Sequence, residues 1–149
     1  MRPDLHSLLD KKDIALLFVG IGNVLLSDDG TGVYISQRLK EDNNIKVITV
    51  EVSIENYIKK INDTRADIII LIDCVSFNKE PGYYSLISAT ELIDFTTNTH
   101  NISLKNISAF FKKEVFILGI QPASVTFGEK LTDQVKRAAD EIIELINNR

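Results

Sequence analysis

Three side chains in this sequence have the types and positions to work on a metal ion or a peptide bond: Asp29, Asp73 and His100. Two carboxylates and an imidazole form a mixed oxygen and nitrogen ligand set that suits a divalent first-row ion such as nickel or zinc and leaves coordination positions open. An open position admits water or a carbonyl oxygen, so the ion can polarise a peptide bond or acidify an attacking water. Each residue also has a plainer reading. Asp29 can complement the positive end of a helix dipole, and its neighbour Asp28 reads as a capping or loop residue. Asp73 follows five aliphatic residues, a setting in which a carboxylate is partly desolvated and needs a partner. His100, between Thr99 and Asn101, can be a loop residue at a helix start, and it gains weight from the two acids.

Other candidates are weaker. Cys74 can act as a nucleophile beside His100, but a lone cysteine is more often a small packing residue, and no basic cluster lies near it in sequence to lower its pKa. His6 falls in a polar leader and reads as a solvated tail residue. No HExxH pair, CxxC pair or GxSxG elbow is present, which removes three familiar hydrolase and zinc-ribbon readings. Gly20-Ile21-Gly22-Asn23-Val24-Leu25 begins like a dinucleotide fingerprint, yet Leu25 stands where the third glycine belongs. Asp28 and Asp29 would also repel a pyrophosphate there. The glycines are better used in a turn that exposes Asn23 and aims the acids.

The elements that must position these residues follow from hydrophobic periodicity. Ile14 to Val19 is a short continuous apolar strand ending at the glycine turn. A helix is predicted from Asp29-Gly30 through Leu39, a strand from Ile45 to Val52, a short helix from Ser53 to about Ile61, and a strand from Ile68 to Ile72 that Asp73 terminates. Tyr83 to Ile87 is predicted as an antiparallel edge strand, because only a short turn-rich link through Pro81-Gly82 joins it to the strand before. A helix carrying Ile102, Leu104, Ile107 and Phe110 follows His100. Val115 to Leu118 is the last buried strand, and Leu131 to Asn147 has the strongest amphipathic helical spacing. Strands alternating with helices, most strands wholly apolar, predict a three-layer α/β/α sandwich with a mainly parallel sheet. The crevice of such sheets lies beyond the carboxyl ends of the strands, where all three candidates fall.

Composition bounds the function. The 149 residues, 44% hydrophobic, suit one domain over 1–149 with a sizeable core. The net charge of −4 is spread along the chain, so no basic stripe exists for nucleic acid. A single cysteine excludes an internal disulfide framework and fits a reducing compartment. The N-terminal stretch lacks the apolar run of a signal peptide, and no apolar run approaches the roughly 18 residues of a membrane span. Cytoplasm, without membrane insertion, is the expected address.

Four segments resemble one family throughout nearly the whole chain. The first is Gly20-Ile21-Gly22-Asn23-Val24-Leu25-Leu26-Ser27-Asp28-Asp29-Gly30-Thr31-Gly32, and the second is Ile72-Asp73 with Pro81-Gly82 following. The third is Thr99-His100-Asn101-Ile102-Ser103-Leu104, and the fourth is Phe116-Ile117-Leu118-Gly119-Ile120-Gln121-Pro122. Together they are similar to the maturation endopeptidases of nickel-iron hydrogenases, nearest the formate-hydrogenlyase type branch. The resemblance implies an aspartic-type endopeptidase that removes the C-terminal tail of the nickel-loaded large-subunit precursor. It places the metal-contacting acid on Asp29, the strand-end aspartate on Asp73 and the histidine on His100, which serve as both metal contacts and catalytic residues. Nickel then arrives with the substrate, and other divalent ions can take the same site. Asn23 and Gln121 match motif positions and imply loop shaping or substrate contact. Where many members carry a glycine pair after the second strand, this chain has Glu51-Val52-Ser53, a bulkier and more acidic rim. The expected partner is the precursor, met transiently by a monomer.

Two other functions use the same residues. A phosphoacceptor receiver domain would take an acid pair after the first strand and Asp73 after the third, but it wants a lysine where Gly119-Ile120-Gln121-Pro122 stands and leaves His100 idle. A metal-dependent maturation chaperone would bind the precursor through the same three ligands without cutting it.

Overall fold

A computed structural model of the chain describes the backbone of residues 4–91 and 99–149, and the side chains of residues 4–91 and 104–149. Five strands form one sheet: β1 (Leu16–Ile21), β2 (Ile45–Glu51), β3 (Ile68–Cys74), β4 (Tyr84–Ser88) and β5 (Glu114–Ile120), in the order β2-β1-β3-β5-β4. The first four members of that order are parallel, and β4 alone is antiparallel, pairing Tyr84 with Ile120 and Ser88 with Phe116. β4 is thus the predicted antiparallel edge, with β5 rather than β3 as its neighbour. A receiver of the 2-1-3-4-5 order has a different arrangement at this edge.

The central strands are buried on both faces because both faces carry helices. Leu17, Val19, Ile21, Ile69, Leu71 and Ile117 share a core with Ile61 of α3 (Ile58–Asp63) and Leu104 of α4 (Thr99–Ser108). Their sequence neighbours Leu16, Phe18, Ile70, Ile72 and Leu118 pack on the opposite face. There they meet α1 (Leu5–Asp10), Ile35 of α2 (Thr31–Ser36), and Val135, Ala139, Ile142 and Ile146 of α5 (Asp133–Asn147). The period of two along each strand sorts the side chains between these layers.

Several local expectations need correction. The polar leader contains α1, whose Leu5, Leu8 and Leu9 are buried; Asp4 and Ser7 close its start with a reciprocal capping box. His6 is exposed, as expected of it, although on this helix rather than a loose tail. β1 runs through Gly20 to Ile21, and β3 runs past Asp73 to Cys74, because ladder pairing with β2 and β5 continues beyond the aliphatic runs. β5 likewise continues through Gly119 to Ile120. The helix expected to reach Leu39 stops at Ser36. Ser36 Oγ bonds back to Val33 O and meets Thr49 Oγ1 at 2.7 Å, while Arg38 and Leu39 donate to carbonyls only three residues back, so the last turn tightens.

Candidate functional site

The loop after β1 is built around its own main chain. Gly22 has φ 141°, and a Cβ there would lie 1.9 Å from Asp29 O, so only glycine allows the loop to fold back on itself. Its N–H donates to Glu51 O at the end of β2 (2.9 Å). Asn23 N–H donates to Asp29 Oδ2 at 2.9 Å, and Asn23 Oδ1 accepts from Leu25 N–H at 2.9 Å. Asn23 therefore shapes the loop, one of the two roles its motif position implied. Asp29 is half-buried, with Oδ2 fixed by Asn23 and Oδ1 in no hydrogen bond among the described residues.

Asp28 faces the other way and is fully buried. Oδ1 accepts from Thr132 N–H (2.7 Å), while Oδ2 accepts from Ala123 N–H (2.9 Å), Ser124 N–H (3.0 Å) and Thr132 Oγ1–H (2.8 Å). Its own N–H donates to Ser124 O. A carboxylate saturated by four donors clamps the β5–α5 loop to the loop after β1, which agrees with its reading as a loop residue.

Asp73 sits within β3 opposite Gly119 and is fully buried. Alternation places it on the α3 and α4 face of the sheet with Leu71 and Ile69, and its Oδ1 accepts from Cys74 N–H at 2.8 Å. Between Asp29 and Asp73 in the chain, α2 packs tightly on the sheet. A Cβ on Gly32 would lie 2.1 Å from Ile72 O and 2.3 Å from Ile21 O, so the first turn of α2 rests directly on the ends of β1 and β3. The thiol of Cys74 senses the result. Burial raises its pKa first, and the charges of Asp73, then Asp29, then Asp28 raise it further. The carboxylates thus surround Cys74 with negative potential, and the thiolate needed of a nucleophile is disfavoured twice over.

His100 stands in the first turn of α4, and its side chain lies outside the described residues. Among the described residues no three His, Cys, Asp or Glu side chains gather to hold an ion. Gln121 is buried, and its Oε1 accepts from Phe77 N–H at 2.6 Å, so it ties the loop after β3 to the end of β5. Sequence reasoning missed the extent of Asp28's clamp because its donors come from residues about a hundred positions away. A groove of about 450 Å³ on the outer side of α2 is lined by Val24, Tyr34, Arg38, Leu131 and Lys136 among others; neither Asp29 nor Asp73 lines it.

The family model for HycI, hydrogenase maturation protease, matches residues 31–149, a span that includes Asp73 and His100 and begins just after Asp29. A candidate hydrogenase maturation protease of Methanocaldococcus jannaschii is 32% identical over 148 residues, covering 88% of this chain and 85% of that protein. The hydrogenase 3 maturation protease of Escherichia coli is 28% identical over 130 residues, covering 83% of each. Among solved structures, the endopeptidase HycI of Escherichia coli superposes with a TM-score of 0.80 at 26% identity, covering 91% of this chain and 90% of that one. In fold alone, HycI of Thermococcus kodakarensis is also similar, with a TM-score of 0.77 at 22% identity, covering 95% of this chain and 96% of that one. With this sheet and this loop architecture, the chain belongs to the hydrogenase maturation proteases and is an endopeptidase.

Proposed function

We propose that this endopeptidase removes the C-terminal tail of the nickel-loaded precursor of a nickel-iron hydrogenase large subunit, with Asp29, Asp73 and His100 contacting the nickel that the precursor carries. The observation that supports the reading is the placement of Asp29 and Asp73 at one edge of the sheet. Asp29 follows β1 and Asp73 lies near the end of β3, both at the edge where the parallel strands end, and each has one oxygen oriented by a backbone N–H. The path of α4 supports a place for His100 beside them. This helix precedes β5, whose first residue lies at the opposite edge, so α4 runs counter to the strands and starts on the side where they finish.

Two neighbouring carboxylates repel, and a cation between them removes that repulsion. Precursor lacking nickel would therefore bring nothing to neutralise the acids, whereas loaded precursor would be held with its scissile peptide against the same edge. Either the bound ion polarises the peptide carbonyl, or Asp73 accepts the proton of an attacking water while nickel positions the chain. Other divalent ions have the charge and ligand preference to occupy the same donors. The enzyme in this reading is a single-domain cytoplasmic monomer that meets its substrate transiently; no helix among the described residues is long and apolar enough to cross a membrane.

Nickel-loaded and nickel-free precursor, incubated separately with the purified protein and weighed by mass spectrometry, test the gating. Loss of the tail from loaded precursor alone is expected. Equal cleavage of both would refute nickel sensing, and an intact mass despite tight binding would favour a chaperone.

A further inference from the structure

Seven large hydrophobic residues are exposed among those described, and four of them stand on two loops beside the candidate site: Val24 (38% exposed), Leu25 (44%), Val125 (49%) and Phe127 (83%). The loops are zipped together. Leu26 and Gly128 form a parallel bridge, Gly128 N–H donates to Leu25 O (2.8 Å), Ser27 N–H donates to Gly128 O (2.7 Å), and Ser27 Oγ–H donates to Thr126 O (2.7 Å). Leu25 and Phe127 consequently stand level with one another in the pairing. The buried Asp28 clamp anchors both loops from beneath, and Asp29 follows one residue later.

In the segment from 124 to 127, Ser124 Oγ and Thr126 Oγ1 meet at 2.9 Å in an exposed hydrogen bond, and Val125 and Phe127 face water with them. A phenyl ring left 83% exposed contributes little to the fold, because an aromatic side chain stabilises by being buried. Because the backbone is already fixed, a partner covering this ridge gains the apolar contact without first ordering the loops.

We propose that Val24, Leu25, Val125 and Phe127 form a rigid docking ridge for an apolar segment of the large-subunit precursor, seated beside the scissile peptide. This rests on the functional reading above. Continuity points to the occupant: the loop that would supply Asp29 to the site also carries Val24 and Leu25, so a precursor held at Asp29 meets the ridge on the same loop. An exposed phenylalanine at the centre of such a patch is the kind of anchor that dominates protein recognition.

Steady-state cleavage of nickel-loaded precursor by the intact enzyme tests the ridge. Phe127→Ser is expected to raise KM about ten-fold or more with kcat unchanged, the pattern of lost uniform binding. Val125→Ser should move KM in the same direction. Phe110→Ser removes another exposed ring, 63% accessible and near the edge where the strands begin, and should leave both constants alone. A wild-type KM for Phe127→Ser, with an unchanged melting temperature, overturns the ridge while the wild-type enzyme still cuts. Failure of the wild-type enzyme to cut overturns the functional reading and the ridge together. If sedimentation shows a wild-type dimer that Phe127→Ser dissolves without altering KM, the ridge serves a second copy of this chain and the proposal falls.

Discussion

At the edge where the parallel strands begin, side chains close off the backbone. The Arg149 guanidinium donates to the carbonyls of Leu9, Lys11, Ile14 and Asn44. Asp67 accepts from Ala15 N–H, Asp42 accepts from the N–H groups of Asn44 and Ile45, and Asn62 bridges Phe110 and Lys112. At the edge where they end, the structure holds less comfortable groups. All five described residues with positive φ lie there: Gly22, Ser27, Glu51, Asn78 and Gly82. So do the buried Asp73 and the exposed ridge from Val24 to Phe127. Positive-φ backbone at non-glycine residues and a buried acid each cost stability, and both gather at the edge to which the proposed site is assigned.

Four changes would break or sharpen this contrast. The largest effect is expected from Asp73→Asn, which should lower cleavage of loaded precursor about 100-fold or more while leaving the melting temperature equal or higher; a stability loss with normal turnover would make Asp73 a fold residue. Asp28→Ala should lose about 3 kcal/mol in a urea titration, since it leaves buried donors unpaired, and would show that one carboxylate at this edge supports structure alone. At the other edge, Arg149→Ala should cost about 1–2 kcal/mol through its lost charged hydrogen bonds with kcat and KM unchanged; a fall in cleavage comparable to Asp73→Asn would abolish the distinction between the edges. Glu51→Gly should be worth about 0.5–1 kcal/mol of relieved strain at φ 56°, read as a small rise in melting temperature.

Cys74 adds a dependence on pH. Its pKa is raised in the fold above an ordinary value of 9.0, so the neutral thiol is the form the folded state favours. The associated stability is fully present below pH 9.0 and declines as pH rises from there through the folded pKa.

Much of this design was legible in the sequence. Continuous apolar runs at Ile14–Val19 and Ile68–Ile72 marked strands buried on both faces, which the ladders shift to Leu16–Ile21 and Ile68–Cys74, and the short Pro81-Gly82 link marked β4 as an antiparallel edge. Asp29, Asp73 and His100 were readable as candidates because each follows or faces such an element. What escaped was set by distant partners or by short spans. The helix α1 was visible in the capping pair Asp4 and Ser7 and in Leu5, Leu8 and Leu9 at helical spacing, but a six-residue element hardly registers against a polar flank. The clamp of Asp28 depends on backbone donors at 123, 124 and 132, which no local pattern announces.

The contact beneath Gly32 has one more result. Main chain meets main chain there, with no intervening side chain to swell, shrink or change rotamer. The seat of α2 on the two strand ends therefore depends on the absence of a side chain at position 32. A single added methyl at position 32 would meet both carbonyls and lift the first turn of α2 from the strands it rests on.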